Sequence, residues 1–234
     1  MTERRAEIAE NLHLVLERLA RACAAAGRPA ADVTLIAVTK TYPAEDVAHL
    51  AALGVADIGE NRDQEAAPKA AAVAAAGVDV RWHFVGQLQR NKARSVVRYA
   101  DVVQSVDSER LALALADAAA RLRDRPLDVL VQVSIDGDPT RGGAPDSSLD
   151  RVAEAVVAAP SLRLRGLMAV APLDWEPEAA FASLARTAER FRRAYPQADL
   201  LSAGMSADLE PAISHGATHV RVGTALLGKR SPME

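Results

Sequence analysis

Short β-prone runs recur along the chain at 33–38, 56–58, 80–85, 102–106, 127–133, 162–168, 199–202 and 218–222, and each is followed by a stretch with helical spacing or a short helical tail. The helical patterns fall at 43–53, 61–76, 88–99, 108–123, 147–158, 177–194 and 206–214. Strict strand-helix alternation demands a parallel sheet with helices outside, because parallel neighbours need a crossover long enough to hold a helix. Eight such units suit a closed barrel better than an open doubly wound sheet, which would leave two edge strands. The expected fold is therefore α/β: a single (β/α)8 TIM barrel spanning residues 1–234. Residues 1–27 should add an N-terminal helix packed on it. Over 3–26, Ile8, Leu12, Val15, Leu16, Leu19 and Cys23 lie at three- and four-residue spacing. Gly27 and Pro29 end that helix.

Length and composition agree. At 234 residues one large core is routine for such a barrel, and with aromatics at 3% that core must be Ala, Val and Leu. A net charge of -3 argues against a nucleic-acid backbone as partner, so an anion site must be local. A lone cysteine, charged early residues and the lack of a run of about 18 apolar residues predict a soluble, cytoplasmic protein with no membrane partner. The irregular stretch 136–145 follows strand five and separates no domains.

In a barrel of this class the reactive groups stand at the carboxyl ends of the strands, and phosphate often binds after strands seven and eight. Lys40 follows strand one, in Leu35-Ile36-Ala37-Val38-Thr39-Lys40-Thr41-Tyr42-Pro43. Ser202-Ala203-Gly204-Met205-Ser206 and Val222-Gly223-Thr224 follow strands seven and eight. Small residues and hydroxyls there read as an anion cradle, although serine before a helix is also a common N-cap. Alternation in His219-Val220-Arg221-Val222 sets His219 and Arg221 on one face, and if that face is the barrel interior Arg221 needs an acceptor: a ligand heteroatom or a carboxylate such as Glu60. A lysine in a partly desolvated mouth near a phosphate cradle suits Schiff-base chemistry, which needs a neutral amine.

Six ordered segments, AVTKTYP (37–43), IGENRDQE (58–65), WHFVGQLQRNK (82–92), QSVDS (104–108), LRGLMAV (164–170) and 202–228, resemble the successive motifs of the pyridoxal phosphate homeostasis protein family. The resemblance implies the single barrel of the alanine racemase amino-terminal domain, with pyridoxal 5'-phosphate as a Schiff base on Lys40. It further implies phosphate contacts by Ser206, Gly223 and Thr224, a pyridine-nitrogen contact by Arg221, and a ring lined by Asn61, Val38, Met168 and Met205. Thr39, Tyr42, Arg62-Asp63 and Ala203 depart from commoner family residues, and Arg141 stands where many members place lysine, which puts a secondary cofactor contact there in doubt.

A protonated ring nitrogen would make a strong electron sink, and an always-cationic Arg221 disfavours that proton. Nor does the tail from Thr224 to Glu234 leave room for the second domain that brings alanine racemase its opposing tyrosine. The expectation is a monomeric protein that binds the cofactor reversibly, without robust catalysis, and could pass it to apo-enzymes. The competing readings are a racemase using Lys40 with water or His83 opposite, a Schiff-base aldolase acting on sugar phosphates, and a nucleic-acid binder using Arg90, Lys92, Arg94 and Arg98. His83 reads as a satisfied core histidine and the four cations as a solvated helix face.

Overall fold

Period-two alternation along each strand decides what enters the barrel and what lies under the helices. In β1 (Thr34–Val38), Ala37 joins an outer apolar layer with Ile58, Trp82, Val220 and Val222, while Ile36 and Val38 take the inner face. The remaining strands are β2 (Asp57–Glu60), β3 (Arg81–Phe84), β4 (Val102–Val106), β5 (Leu127–Val133), β6 (Leu162–Ala169), β7 (Leu200–Ser202) and β8 (His219–Val222). All pair in parallel in sequence order, and β8 returns to β1 with Thr34 opposite His219 and Ala37 opposite Val222. Closure leaves no edge strand, so the open-sheet alternative is excluded. The structure, a computed structural model, describes residues 2–138 and 141–228; Pro139 and Thr140 of the long loop, and the tail from Lys229 onward, lie outside the described residues.

The helices are α1 (Glu3–Ala25), α2 (Ala44–Ala52), α3 (Asp63–Ala75), α4 (Ala93–Val96), α5 (Glu109–Leu122), α6 (Asp146–Val157), α7 (Pro177–Ala194), α8 (Leu209–Ser214) and α9 (Thr224–Leu227). Among the described residues no helix is long and apolar enough to cross a membrane. Helix α1 starts where the Thr2 hydroxyl accepts from the Arg5 N–H, and it buries Ile8, Leu12, Val15, Leu19 and Cys23 against α8 and α9. At about 2 kcal/mol per buried side chain, that stripe contributes on the order of 10 kcal/mol before chain entropy. Leu16 instead points outward, 46% exposed, because its place on the turn falls beyond the buried stripe.

Two expected helices are shorter than their sequence patterns. The 88–99 pattern yields a 3-10 turn over Arg90–Lys92 and only one α-turn, α4. Arg123 satisfies the carbonyls of Val97 and Ala100 that follow, which lets the chain leave the helix early for β4. The 206–214 pattern begins only at Leu209, since the Asp208 carboxylate accepts from the Met205 N–H at 2.6 Å and closes a turn first. Ser206 therefore lies in that turn and caps no helix.

Candidate functional site

The chain leaves β1 through a turn in which the Tyr42 N–H donates to the Thr39 carbonyl at 3.0 Å, so Lys40 and Thr41 form its corner. Thr41 has φ 74°, the left-handed region that a β-branched residue rarely occupies. Its N–H donates to Glu65 Oε2 at 3.0 Å, which ties the strained corner to α3. Lys40 is exposed at this corner rather than desolvated, contrary to the setting expected from the sequence.

The corner opens on a cavity of about 810 Å³ at the carboxyl ends of the strands. Val38, Lys40, Asn61, Met205, Ser206, Arg221, Gly223 and Thr224, eight of the nine expected site residues, line it. Met168 does not: at 1% exposure it packs with Val102 and Leu130 inside the barrel, and Val170 reaches the cavity instead. The reason is geometric, since the chain reaches the rim only two residues further on, past the end of β6. Tyr42, Arg62 and Val85 also line the cavity; no local pattern marked them, as all three lie in loops whose course the tertiary fold sets.

Among the described residues the wall carries three cationic side chains, Lys40, Arg62 and Arg221, and no carboxylate. Arg221 is 5% exposed and makes no ion pair among the described residues. Its Nη1 donates to Ser202 Oγ at 2.8 Å and its Nη2 to the Ala169 carbonyl at 2.9 Å. Burial pulls it down to about 10, only partly offset by the charge of Asp208. The alternative of a salt bridge from Arg221 to Glu60 is overturned: Glu60 points outward from β2 and pairs with Lys69. Asn61 Oδ1 is buried without a partner among the described residues, an unmet polar atom on the cavity wall.

Backbone approach shapes the two ends. A Cβ on Gly86 would sit 2.0 Å from the Asn61 carbonyl oxygen, so only glycine lets the loop after β3 press against Asn61. A Cβ on Gly223 would meet the Val38 carbonyl at 3.2 Å, which leaves the β8 exit open beside β1. The Ser206 turn is braced from outside, where Arg18 Nη1 donates to the Ser206 carbonyl at 2.6 Å. Arg141 holds Asp136 at 2.7 Å and the Ala171 carbonyl at 3.0 Å, and it is not among the residues lining the cavity. His83 also lies off the wall, with both ring nitrogens engaged by Asp57 and Gln104. Arg90, Arg94 and Arg98 are exposed and Lys92 half-buried, which fits a solvated face.

The family model for the alanine racemase N-terminal domain matches residues 11–231. A protein of Mycobacterium tuberculosis (strain ATCC 25618 / H37Rv) named pyridoxal phosphate homeostasis protein is 46% identical, over 97% of this chain and 95% of its own length. A namesake in Escherichia coli (strain K12) is 39% identical over 96% and 97%. Among solved structures, PipY of Synechococcus elongatus PCC7942, determined with PLP bound, is 35% identical, covers 94% of this chain and 100% of its own, and superposes with a TM-score of 0.82.

Proposed function

The chain belongs to the pyridoxal phosphate homeostasis protein family, built on the alanine racemase N-terminal domain, and from that premise we propose that it binds pyridoxal 5'-phosphate reversibly as a Schiff base on Lys40 and sustains its supply. The observation that carries this reading is the cavity, free of carboxylates among the described residues, in which Lys40 and Arg221 face one space with Ser206, Gly223 and Thr224. The group fits: a phosphorylated aldehyde ligand needs cationic walls, a primary amine and polar partners, and the unmet Asn61 Oδ1 gives one more partner for a ring substituent.

Bound there, the cofactor supplies an aldehyde that condenses with amines and a ring that withdraws electrons. The protein's own groups do the rest. The turn at Thr39–Tyr42 presents the Lys40 amine, the hydroxyls of Ser206 and Thr224 would donate to the phosphate, and Val38 and Met205 would flank the ring. Arg221 would hold the ring nitrogen, and a permanent cation there would keep that nitrogen unprotonated and the electron sink weak. A racemase would also need a proton donor facing Lys40, and His83 is engaged inside the barrel instead. A holding and supply role without a robust catalytic cycle follows. A monomeric, cytoplasmic protein that hands the cofactor to apo-enzymes completes the proposal.

Borohydride reduction of the protein loaded with pyridoxal phosphate, followed by peptide mapping, tests it. The label should lie on Lys40, and Lys40→Ala should take up no stable label. A label on another lysine, or fast turnover of alanine or serine between its enantiomers, would defeat the reading.

A further inference from the structure

Four side chains that line no part of the cavity join Arg221 to the opposite end of the barrel. Asp57, the first residue of β2, meets His83 Nε2 at 2.7 Å. His83 Nδ1 meets Gln104 Nε2 at 2.9 Å. The Ser202 hydroxyl donates to Gln104 Oε1 at 2.7 Å, and Arg221 Nη1 donates to Ser202 Oγ at 2.8 Å. The Gln104–Ser202 bond joins β4 to β7, which are not neighbours, so the chain crosses the barrel interior.

Donor inventory fixes its direction. A guanidinium only donates and a carboxylate only accepts. With Arg221 at one end, Asp57 at the other and the Gln104 amide nitrogen, which can only donate, set against His83 Nδ1, the links between them all donate the same way. Ser202 accepts from Arg221 and gives its one proton to Gln104. Gln104 turns its oxygen to Ser202 and its amide N–H to His83 Nδ1, and His83 carries its proton on Nε2, toward Asp57. Burial alone would push the Asp57 carboxyl up, but the His83 hydrogen bond and the nearby charge of Arg81 hold it below the usual carboxylate range, so it stays an acceptor at neutral pH.

Resting on the cofactor reading above, we infer that Asp57, His83, Gln104 and Ser202 are positioning residues: a one-way hydrogen-bond chain, anchored by Asp57 at the far end of the barrel, that sets which Arg221 N–H groups face the cofactor ring. Among the described residues two of the five guanidinium N–H groups are committed, to Ser202 and Ala169. The rest are free for the cavity only while Ser202 keeps its lone pair, and not its proton, toward Arg221. Without the Asp57 acceptor nothing selects the His83 tautomer, Gln104 can turn over, and Ser202 can point its proton at a cation that has nothing to accept it.

The test has an arm that needs no cofactor. In cofactor-free protein labelled with ¹⁵N-histidine, His83 should carry its proton on Nε2 at pH 7.5, and Asp57→Ala should mix the tautomers while Asp57→Asn, which keeps an acceptor oxygen, preserves them. A proton on Nδ1 in the unsubstituted protein overturns the chain. The second arm titrates pyridoxal phosphate into Asp57→Ala, Ser202→Ala and the double variant. Each single change should weaken binding about five- to twentyfold and displace the pH curve of the bound chromophore, and the double should lose little more than either, because the residues act through one chain. Folded variants with affinity within twofold and an unchanged pH curve, or losses that simply add, overturn the inference. If the unsubstituted protein forms no chromophore at all, the cofactor reading fails, and the histidine arm still decides the chain.

Discussion

Lys69 on α3 donates from Nζ to the Thr39 carbonyl at 2.7 Å, so a buried ammonium holds, from behind, the peptide that leads into Lys40. The same ammonium pairs with Glu60, which also accepts from the Thr39 hydroxyl at 2.7 Å. Burial pushes the Glu60 carboxyl up, against the pull of its bonds to Lys69 and Thr39.

Removing one partner strands the other. Lys69→Met should cost about 3–5 kcal/mol in urea denaturation at pH 7.5, because Glu60 is then a buried, unpaired charge. A carboxyl whose folded value is raised favours folding below its unfolded value and loses that contribution as pH rises. The gap to the unsubstituted protein should therefore narrow at pH 5, where Glu60 can protonate. Adding Glu60→Gln should recover part of the loss; equal losses at both pH values would show that Glu60 is not the stranded group.

His219, facing the barrel interior, is pulled to about 4 by burial first and then by His83, Arg81 and Arg165, against the opposing charge of Asp57. A histidine with a depressed folded value stabilises the neutral-pH protein fully above its unfolded value of 6.5 and loses that stability as pH falls toward 4. Between pH 7.5 and 5 the loss should be about 2 kcal/mol. His219→Gln should remove that part of the acid sensitivity, which paired denaturation curves would show. An unaltered pH dependence would contradict it.

Gly86→Ala tests the close approach to Asn61. A methyl 2.0 Å from a backbone oxygen forces the loop to move, so stability should drop by about 2 kcal/mol. Because Asn61 lines the cavity, pyridoxal phosphate affinity should fall severalfold as well. Calorimetry and a fluorescence titration would read the two effects separately.

Thr41→Gly should behave in the opposite sense. It relieves a left-handed threonine worth about 1–2 kcal/mol and adds back about 0.5–1 kcal/mol of chain entropy, so thermal stability should hold or rise slightly. The corner that presents Lys40 loosens, and Schiff-base formation, followed by absorbance, should slow or weaken. A variant destabilised by more than about 1 kcal/mol would show that the strain is not there.

The barrel and most of the residues that line its candidate cavity were legible because both depend on local order. Period-two runs with helical spacers name the strands, and strand ends name the rim, so Lys40, Ser206, Gly223 and Thr224 could be placed together before any coordinates. Met168 failed by the same logic: it lies on the right strand and short of the rim, and distance along a barrel axis is not written in alternation. Arg62 and Tyr42 had no periodic signal, since loops take their course from what they pack on.

What the sequence determined by itself is the order of elements, the shared face of His219 and Arg221 and the position of Lys40 at a strand exit, all consequences of backbone periodicity acting over a few residues. What only the tertiary structure decided is which partners those side chains meet. Arg221 finds Ser202 and Ala169 rather than Glu60, and Glu60 finds Lys69. Such choices depend on contacts between residues far apart in the chain, where strand register and barrel closure, rather than local preference, bring donors to acceptors.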